Sequence, residues 1–411
     1  MMNLYLFDDK EARSWQPFNL TRPAGELLLG CLSMRSRAEA FWGSSCLGHI
    51  THDNLRSFDE PNSPPVIESH EMNSNFPTIL FLSRAIPDFC PENKSIISSI
   101  NFSDGPKVLV MNEEIVGWLF PKGYSSSKDI NVFEPSQSVA DFPQIQLSGN
   151  LLRNIWDLIS VNGEQIHKDL ERLHPTEPSL LPEGVTHSGE NIISLEQNVT
   201  INPKTHLDSS AGPILISSGS HLRAFTHIVG PAFIGPGTHV LGGTMDCFST
   251  GPMCKLRGEI NNSVILGYTN KAHDGYLGNS YIGRWVNFGA FTTNSDLKNN
   301  YSEIRIFTVT GLANTGKRKL GIFVGDHVKT GIGSLLPAGC VIGCGTNIFG
   351  GGLAPPSIPP FSWGTSQNLE PYELTRFLQM VHTVMDRRDI QLSTKAEKCL
   401  VEAWEATHAT T

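Results

Sequence analysis

The chain has 411 residues, with 31 Lys and Arg against 40 Asp and Glu, so its formal net charge is −9. That balance argues against a general nucleic-acid binder, and no apolar run reaches the roughly 18–20 residues that span a bilayer. The eight Cys form no CxxC pair and no signal-peptide pattern is visible, so we expect a cytoplasmic protein. The positions of the 38 Gly residues then decide the architecture.

Residues 1–182 are predicted to form a mixed α/β domain. Short apolar runs predict three buried strands, at Leu4–Phe7, Thr78–Leu82 and Val108–Met111. A helix is predicted over residues 27–42. A second helix is predicted to begin at Ser148, because a capping serine there precedes apolar residues at helical spacing.

Residues 183–360 carry a repeat of six residues. Gly often follows the repeat position, which is occupied by Ile216, Leu222, Ile228, Ile234 and Val240, then by Tyr276, Ile282 and Phe288, and later by Val324, Thr330, Leu336, Ile342 and Ile348. Hexapeptide repeats are typical of β-helices. We therefore predict a triangular parallel β-helix in which each side points one repeat residue inward and positions 18 apart stack.

The six-residue repeat has two interruptions, and the sequence pattern changes again near the C-terminus. The repeat breaks at about 243–261 and 294–321, where we expect loops that leave the solenoid and help to build a site. Residues 361–411 are predicted to be helical, with apolar residues at helical spacing over Glu370–Asp386 and a second helix over Thr394–Ala406. Because an open solenoid end exposes its core, we expect these helices to cap it.

The densest polar segment lies between the two interruptions. In it, His273 stands between Lys271 and Asp274, and an imidazole that titrates near neutral pH can act as a general base. Candidates for hydrogen bonds to a polar substrate or for phosphate neutralisation are Lys271, Tyr276, Asn287, Asn294 and Lys298.

This segment resembles the acetyltransferase half of the GlmU family. Those bifunctional enzymes join a glucosamine-1-phosphate acetyltransferase to an N-acetylglucosamine-1-phosphate uridylyltransferase. The shared motifs are His-x-x-Tyr-Leu-Gly, Ile-Gly and Asn-x-Gly-Ala, within about residues 260–350. The resemblance implies a left-handed β-helix that uses acetyl-CoA and forms a homotrimer, with His273 as general base. It also implies substrate contacts at Tyr276, Asn287, Asn294 and Lys298.

The N-terminal segment resembles GlmU-related sugar nucleotidyltransferases. The similar residues are Phe-Asp-Asp, Pro-Phe-Asn-Leu-Thr-Arg-Pro-Ala-Gly-Glu and a strand that ends at Asn112, but the Gly-x-Gly-Thr-Arg-Met phosphate loop is absent. We therefore expect Arg22 to clamp phosphate, and Asp8, Asp9 or Asn112 to hold the Mg²⁺ that nucleotidyl transfer requires. The alternative is that the two aspartates end a strand and that Arg22 makes a structural ion pair.

Together, these features predict a transferase of sugar-nucleotide biosynthesis. The β-helix would acetylate an amino sugar phosphate from acetyl-CoA, and the α/β domain would couple a nucleoside triphosphate to a sugar 1-phosphate. We expect no nucleic-acid or membrane partner. One competing hypothesis is a metal hydratase similar to γ-class carbonic anhydrase, with His221, His227 and His239 as ligands. Another is a non-catalytic trimeric scaffold.

Overall fold

A computed structural model of the protein describes residues 2–124, 130–138, 142–173 and 179–408. Its N-terminal part contains ten strands and five helices within those ranges. The strands are β1 (Asn3–Phe7), β2 (Leu28–Leu29), β3 (Leu32–Ser33), β4 (Cys46–Ile50), β5 (Thr78–Leu82), β6 (Ala85–Pro87), β7 (Lys107–Met111), β8 (Glu114–Phe120), β9 (Gln144–Gln146) and β10 (Gly149–Leu151). The helices are α1 (Lys10–Arg13), α2 (Met34–Trp42), α3 (Pro91–Ser99), α4 (Asp157–Ser160) and α5 (Asn162–Leu173).

Six of these strands form the central sheet, in the order β4-β1-β5-β8-β7-β9, with both parallel and antiparallel pairs. Strands β1 and β5 are buried along their whole length, which explains why their sequences are continuously apolar. The three strands predicted from apolar runs are confirmed as β1, β5 and β7. The mixed α/β prediction for this region is therefore confirmed.

Both predicted helices in this region begin later than expected. Gly30 adopts φ +63°, which a helix interior does not accommodate, and a short hairpin of β2 and β3 forms around it. Helix α2 then starts at Met34, where Ser33 caps the backbone N–H of Ser36. The residues after Ser148 form strand β10, which pairs with β6, and the next helix begins only at Asp157.

The second part of the chain is a β-solenoid of about ten turns. Its strands and the hairpin that leaves it are Thr186–Ser188, Ile193–Leu195, Thr200–Ile201, His206–Asp208, Ile214–Ile216, His221–Leu222, Thr226–Ile234, His239–Thr250, Lys255–Asn261, Val264–Gly267, Asn270–Lys271, Tyr276–Gly278, Tyr281–Arg284, Asn287–Phe288, Thr293–Asn294, Arg305–Thr308, Gly311–Asn314, Phe323–Val324, Lys329–Thr330, Ser334–Leu336, Val341–Ile342, Asn347–Phe349, Gly352–Leu353, Ser357–Ile358, Ser362–Thr365 and Asn368–Pro371. This confirms the left-handed β-helix prediction.

Strands of successive coils pair in parallel and define three faces. Face A contains residues 186–188, 206–208, 226–229, 243–246, 258–261 and 276–278. Face B contains residues 193–195, 214–216, 232–234, 248–250, 264–267, 281–284, 323–324, 341–342 and 357–358. Face C contains residues 200–201, 221–222, 239–240, 255–256, 270–271, 287–288, 329–330 and 347–349.

The predicted inward positions form the solenoid core almost without exception. Ile216, Leu222, Ile228, Ile234 and Val240 are all fully buried in one apolar cluster. Tyr276 is the exception, because its neighbour Leu277 takes the inward position and the tyrosine points outward from face A. The six-residue frame therefore slips by one position at that coil.

Only one of the two predicted interruptions is a loop. Residues 243–261 stay in the solenoid, and Gly243 pairs directly with Gly258 in a shortened coil, so the predicted loop there is wrong. The second interruption is confirmed, because the chain leaves the stack after Asn294 and returns at Phe323. Within it, Arg305–Thr308 and Gly311–Asn314 form an antiparallel hairpin.

The N-terminal domain packs against the outside of face B. Outward side chains of that face share a buried apolar cluster with the N-terminal domain, namely Leu215, Phe233, Val264, Leu266, Tyr281, Phe323 and Val341. Tyr281 also donates its hydroxyl to the carbonyl of Leu28 at 2.8 Å. The two parts of the chain are therefore joined by a continuous apolar contact.

The C-terminal segment contains α6 (Leu374–Asp386) and α7 (Thr394–His408), close to the predicted helices. They do not simply cap the last coil, because Arg388 binds the carbonyl of Met253 and the side chain of Asn270 on much earlier coils. Their apolar sides pack with Trp285, Cys344 and Phe361 along the solenoid. No helix in the described ranges is both long and apolar enough to cross a membrane.

Candidate functional site

His273 lies at the corner between faces C and A, in the turn after Asn270–Lys271. Its side chain is exposed, and no described residue forms a hydrogen bond with its imidazole. The turn itself is held in place, because the Asp274 carboxylate pairs with Arg257 at 3.0 Å and the Asp274 carbonyl accepts the Phe291 N–H at 3.1 Å. The site therefore offers a free imidazole on a fixed backbone.

Lys271 supports that turn from inside. Its Nζ donates to the carbonyl of Arg257 at 2.8 Å and to the carbonyl of His273 at 2.6 Å, and the side chain is almost fully buried. Burial without a carboxylate in hydrogen-bond contact lowers the pKa of Lys271 to about 8. In this geometry Lys271 positions His273, and its ammonium does not face a substrate phosphate.

Tyr276 points outward next to an acidic residue that sequence reasoning missed. Its hydroxyl donates to Asp296 Oδ2 at 2.7 Å, and Asn279 Nδ2 donates to the same oxygen at 2.5 Å. Burial, helped by this hydrogen bond to Asp296, raises the pKa of Tyr276. Lys319 Nζ lies 3.9 Å from Asp296, so a cation from the far end of the insertion also reaches this cluster.

The other three candidates are not gathered around the imidazole. Asn294 is buried and bonds both backbone groups of Gly278, at 2.9 and 3.0 Å, so it ties two coils together. Asn287 lies on face C, where its Oδ1 accepts from Asn270 at 3.3 Å. Lys298 is in the insertion and donates to the Glu303 carbonyl at 2.7 Å.

Arg22 joins the two parts of the chain. Its guanidinium binds Asp326 of the solenoid at 2.7 Å and Glu60 at 2.8 Å, and Glu60 also binds Arg284 at 2.7 Å. We name Arg22, Glu60, Arg284 and Asp326 the interdomain quartet. The two carboxylates of the quartet balance its two guanidinium groups, so Arg22 forms the kind of structural ion pair that the alternative prediction described. Its role as a phosphate clamp stays a prediction.

The residues predicted to hold Mg²⁺ are engaged by the protein itself. Asp8 is buried and accepts hydrogen bonds from Ser83, from Thr51 at 2.6 Å and from the Ala24 N–H at 3.1 Å. Asp9 is buried and accepts from Arg84 at 2.6 Å and from the Ala12 N–H at 3.1 Å. Asn112 lies in the β7–β8 turn and donates to the Gly149 carbonyl at 3.2 Å. In this arrangement these residues do not fit a magnesium ion.

The three histidines of the metal-hydratase hypothesis lie on different faces. His221 and His239 stack on face C with ring centroids 5.8 Å apart, as their spacing predicted. His227 lies on face A, where its ring is 5.1 Å from that of His206. The three imidazoles do not converge within one chain, so a single chain does not form a hydratase site from those ligands.

Open cavities lie along the seam between the domains and away from His273. One of about 430 Å³ borders the interdomain quartet and is walled by the stacked rings of Tyr268 and Trp285. Another of about 480 Å³ lies between Cys31 and Phe233. The crevice beneath Tyr276 is too narrow to admit a water molecule. In a single chain His273 is exposed, and it lines none of these three cavities.

Comparisons with known proteins agree with this architecture. Residues 4–176 match the family described as sugar nucleotidyl transferase. The bifunctional sugar-1-phosphate nucleotidylyltransferase/acetyltransferase of Sulfurisphaera tokodaii is 29% identical over 164 residues, 40% of this chain and 40% of that protein. Over part of its length the chain is similar to bifunctional GlmU proteins. The bifunctional protein GlmU of a Cyanothece species is 26% identical over 251 residues, 56% of this chain and 48% of the relative. The chain spans about half or less of the curated relatives it matches.

Two acidic residues, one beside Tyr276 and one in the interdomain quartet, were missed for different reasons. Asp296 follows Asn294 by two positions inside the second interruption, and an acidic residue next to a candidate substrate contact was a usable signal. Asp326 had none, because its partner Arg22 is 304 residues away in the chain. Only packing of the two domains reveals that pair.

Proposed function

We propose that this GlmU-related chain is a transferase of sugar-nucleotide biosynthesis whose β-helix acetylates the amino group of a sugar phosphate. The observation that carries the proposal is the exposed, unbonded imidazole of His273 on a solenoid corner whose backbone is fixed by Lys271. The similarity to bifunctional nucleotidyltransferase/acetyltransferases supports the same reaction class. The proposed compartment is the cytoplasm.

In the proposed reaction, His273 accepts a proton from the sugar amine as its nitrogen attacks the thioester carbonyl of acetyl-CoA. A carbon–nitrogen bond forms, the carbon–sulfur bond breaks, and the imidazolium returns the proton to the CoA thiolate. Backbone N–H groups of a neighbouring coil would hold the oxyanion. Tyr276 would contact the sugar phosphate, with Lys319 supplying positive charge near it. Lys298 would reach that phosphate only by giving up its hydrogen bond to the Glu303 carbonyl.

A homotrimer is part of the proposal, because one chain leaves the site uncovered. Phe291 and Ile332 occupy the two following corners beside His273 and are 66% and 74% exposed. Apolar side chains in such a row indicate a surface that another molecule covers. A second copy and the acyl-CoA would together enclose the imidazole.

A second candidate activity is nucleotidyl transfer by the N-terminal domain, favoured by the family match over residues 4–176. Its substrates would be a nucleoside triphosphate and a sugar 1-phosphate, with pyrophosphate released. Because Asp8, Asp9 and Arg22 are engaged internally, this part of the proposal includes no step through a bound Mg²⁺.

The test is a panel assay with the full chain. We would supply amino sugar 1-phosphates, nucleoside triphosphates and acetyl-CoA, and measure free CoA and pyrophosphate separately. We expect CoA release from wild type and a loss of about 10²–10⁴-fold in His273→Ala, the contribution of a general base. His187→Ala is the matched control, since His187 is also exposed on a solenoid strand.

Unchanged CoA release in His273→Ala would remove the catalytic assignment. Absence of CoA release from wild type with every amino sugar phosphate would instead favour the scaffold hypothesis. Pyrophosphate release that is unaffected by His273→Ala would show that the N-terminal domain works independently.

A further inference from the structure

Three metal-ligand side chains converge on face A near the start of the solenoid, apart from the proposed acetyl-transfer site. His206 and Asp208 alternate outward on one strand, with Leu207 pointing inward between them. His227 lies beside His206 on the next coil. The candidate ligand atoms of the three residues all lie within 4.8 Å of one another.

The hydrogen bonding of this cluster is incomplete at one nitrogen atom. The Nε2 atom of His227 is buried and has no hydrogen-bond partner. A buried polar atom without a partner is destabilising, because it has lost its hydrogen bonds to water, so a ligand bound at this nitrogen would remove that penalty. A cation held between His227, His206 and Asp208 would satisfy this nitrogen and use the other two side chains as well.

The surroundings also suit metal ligation. His206 Nδ1 lies 2.9 Å from the Thr186 hydroxyl, and His206 Nε2 lies 3.2 Å from the Ser188 hydroxyl. When one ring nitrogen binds a metal, the other keeps its proton and needs an acceptor, which either hydroxyl can supply. Asp208 Oδ1 accepts the Ser210 N–H at 2.9 Å, so the carboxylate is held in place.

We propose that His206, Asp208 and His227 form a binding site for a divalent metal ion of the zinc class. Two imidazoles and one carboxylate favour Zn²⁺, Co²⁺ or Ni²⁺, whereas Mg²⁺ and Ca²⁺ prefer all-oxygen sites. Three protein ligands leave at least one coordination position for water or an external ligand. This site does not depend on the proposed acetyl transfer, because none of its residues belongs to the His273 corner.

The experiment uses the full chain, freed of metal with a chelator and titrated with Zn²⁺ against a chromophoric competitor. We expect one equivalent to bind in wild type. His206→Ala, His227→Ala and Asp208→Asn should each weaken binding by at least about tenfold. Co²⁺ substitution should give the visible absorption of a low-coordinate site in wild type and lose it in the same variants.

His221→Ala and His239→Ala are the matched controls, since they remove one imidazole each from the stacked pair on face C. Circular dichroism would confirm that every variant is folded. The proposal is overturned if wild type binds no stoichiometric Zn²⁺. It is equally overturned if the controls lose binding as the face A variants do, because binding would then reflect surface histidines in general.

Discussion

Two clusters of charged and polar residues, the interdomain quartet and the His273 corner, differ in what surrounds them. In the interdomain quartet Arg22 and Asp326 are buried and Glu60 and Arg284 are partly buried, and the two guanidinium groups face two carboxylates across the domain seam. At the His273 corner the imidazole is exposed and unbonded, while Lys271 beneath it is buried against carbonyl oxygens. Balanced, buried charges join two domains, whereas an unbalanced, open cluster is able to receive a substrate.

The pKa values express the same contrast. Burial alone would lower the pKa of Arg22, but Asp326 and Glu60 outweigh it and raise the pKa. Lys271 has no carboxylate partner in contact, and burial lowers its pKa to about 8. A buried cation therefore keeps its charge in the quartet and loses its proton readily at the corner. Each of the following predictions tests one side of this comparison.

The largest expected effect is a loss of stability when an ion pair of the interdomain quartet is removed. Arg22→Met leaves Asp326 buried without its guanidinium partner, which should lower the free energy of unfolding by about 3–5 kcal/mol. Lys10→Met is the control, because the Lys10–Glu134 pair is largely exposed and should contribute less than about 1 kcal/mol. Urea unfolding monitored by fluorescence measures both. Equal, small losses in the two variants would contradict a structural role for the quartet.

The sequence was sufficient for regularities that repeat and insufficient for contacts between distant residues. Inward positions such as Ile228 and Ile234 were predictable because every coil imposes the same requirement. The length of each coil was not predictable from the sequence. Gly243 and Gly258, for example, pair across a shortened coil that does not keep the six-residue frame. The opposite irregularity, a coil longer than 18 residues, concealed the metal cluster, since His206 and His227 stack although they are 21 residues apart.

The His273 site was predictable as a segment but not as a set of contacts. His273 lies on the outside of a solenoid corner, and Tyr276 also points outward although the six-residue frame predicted it to point inward. Asn294 was assigned to substrate, yet its buried amide serves the backbone of the preceding coil. An asparagine in the solenoid can either contact a substrate or bond the backbone of the next coil, and only the burial of its side chain distinguishes the two roles.

A smaller effect is expected from the titration of Lys271. Between about pH 8 and pH 10.5 this lysine is neutral when folded and charged when unfolded, so unfolding takes up a proton. Stability should therefore rise with pH across that window, by up to about 1.4 kcal/mol per pH unit, relative to Lys271→Met. Below about pH 8 the lysine is charged in both states and the two curves should run parallel.

Urea unfolding of wild type and Lys271→Met at several pH values measures this difference directly. The variant also removes the two hydrogen bonds to the carbonyls of Arg257 and His273, so its curve should lie at a different level. The prediction concerns the slopes alone. If the two curves ran parallel from about pH 7 to pH 10, Lys271 would keep its charge in the folded protein, as Arg22 does, and the prediction would be wrong.

The smallest effect is expected from Tyr276→Phe, which removes one hydroxyl from the open cluster. Asp296 keeps Asn279 as a donor, so the loss in stability should be about 1 kcal/mol. If Tyr276 contacts the sugar phosphate, KM for the acceptor should rise roughly fivefold with kcat nearly unchanged. Tyr301→Phe, in the exposed part of the insertion, should change neither quantity. A fall in stability without a change in KM would place Tyr276 with the quartet, as a residue that holds the structure and does not meet substrate.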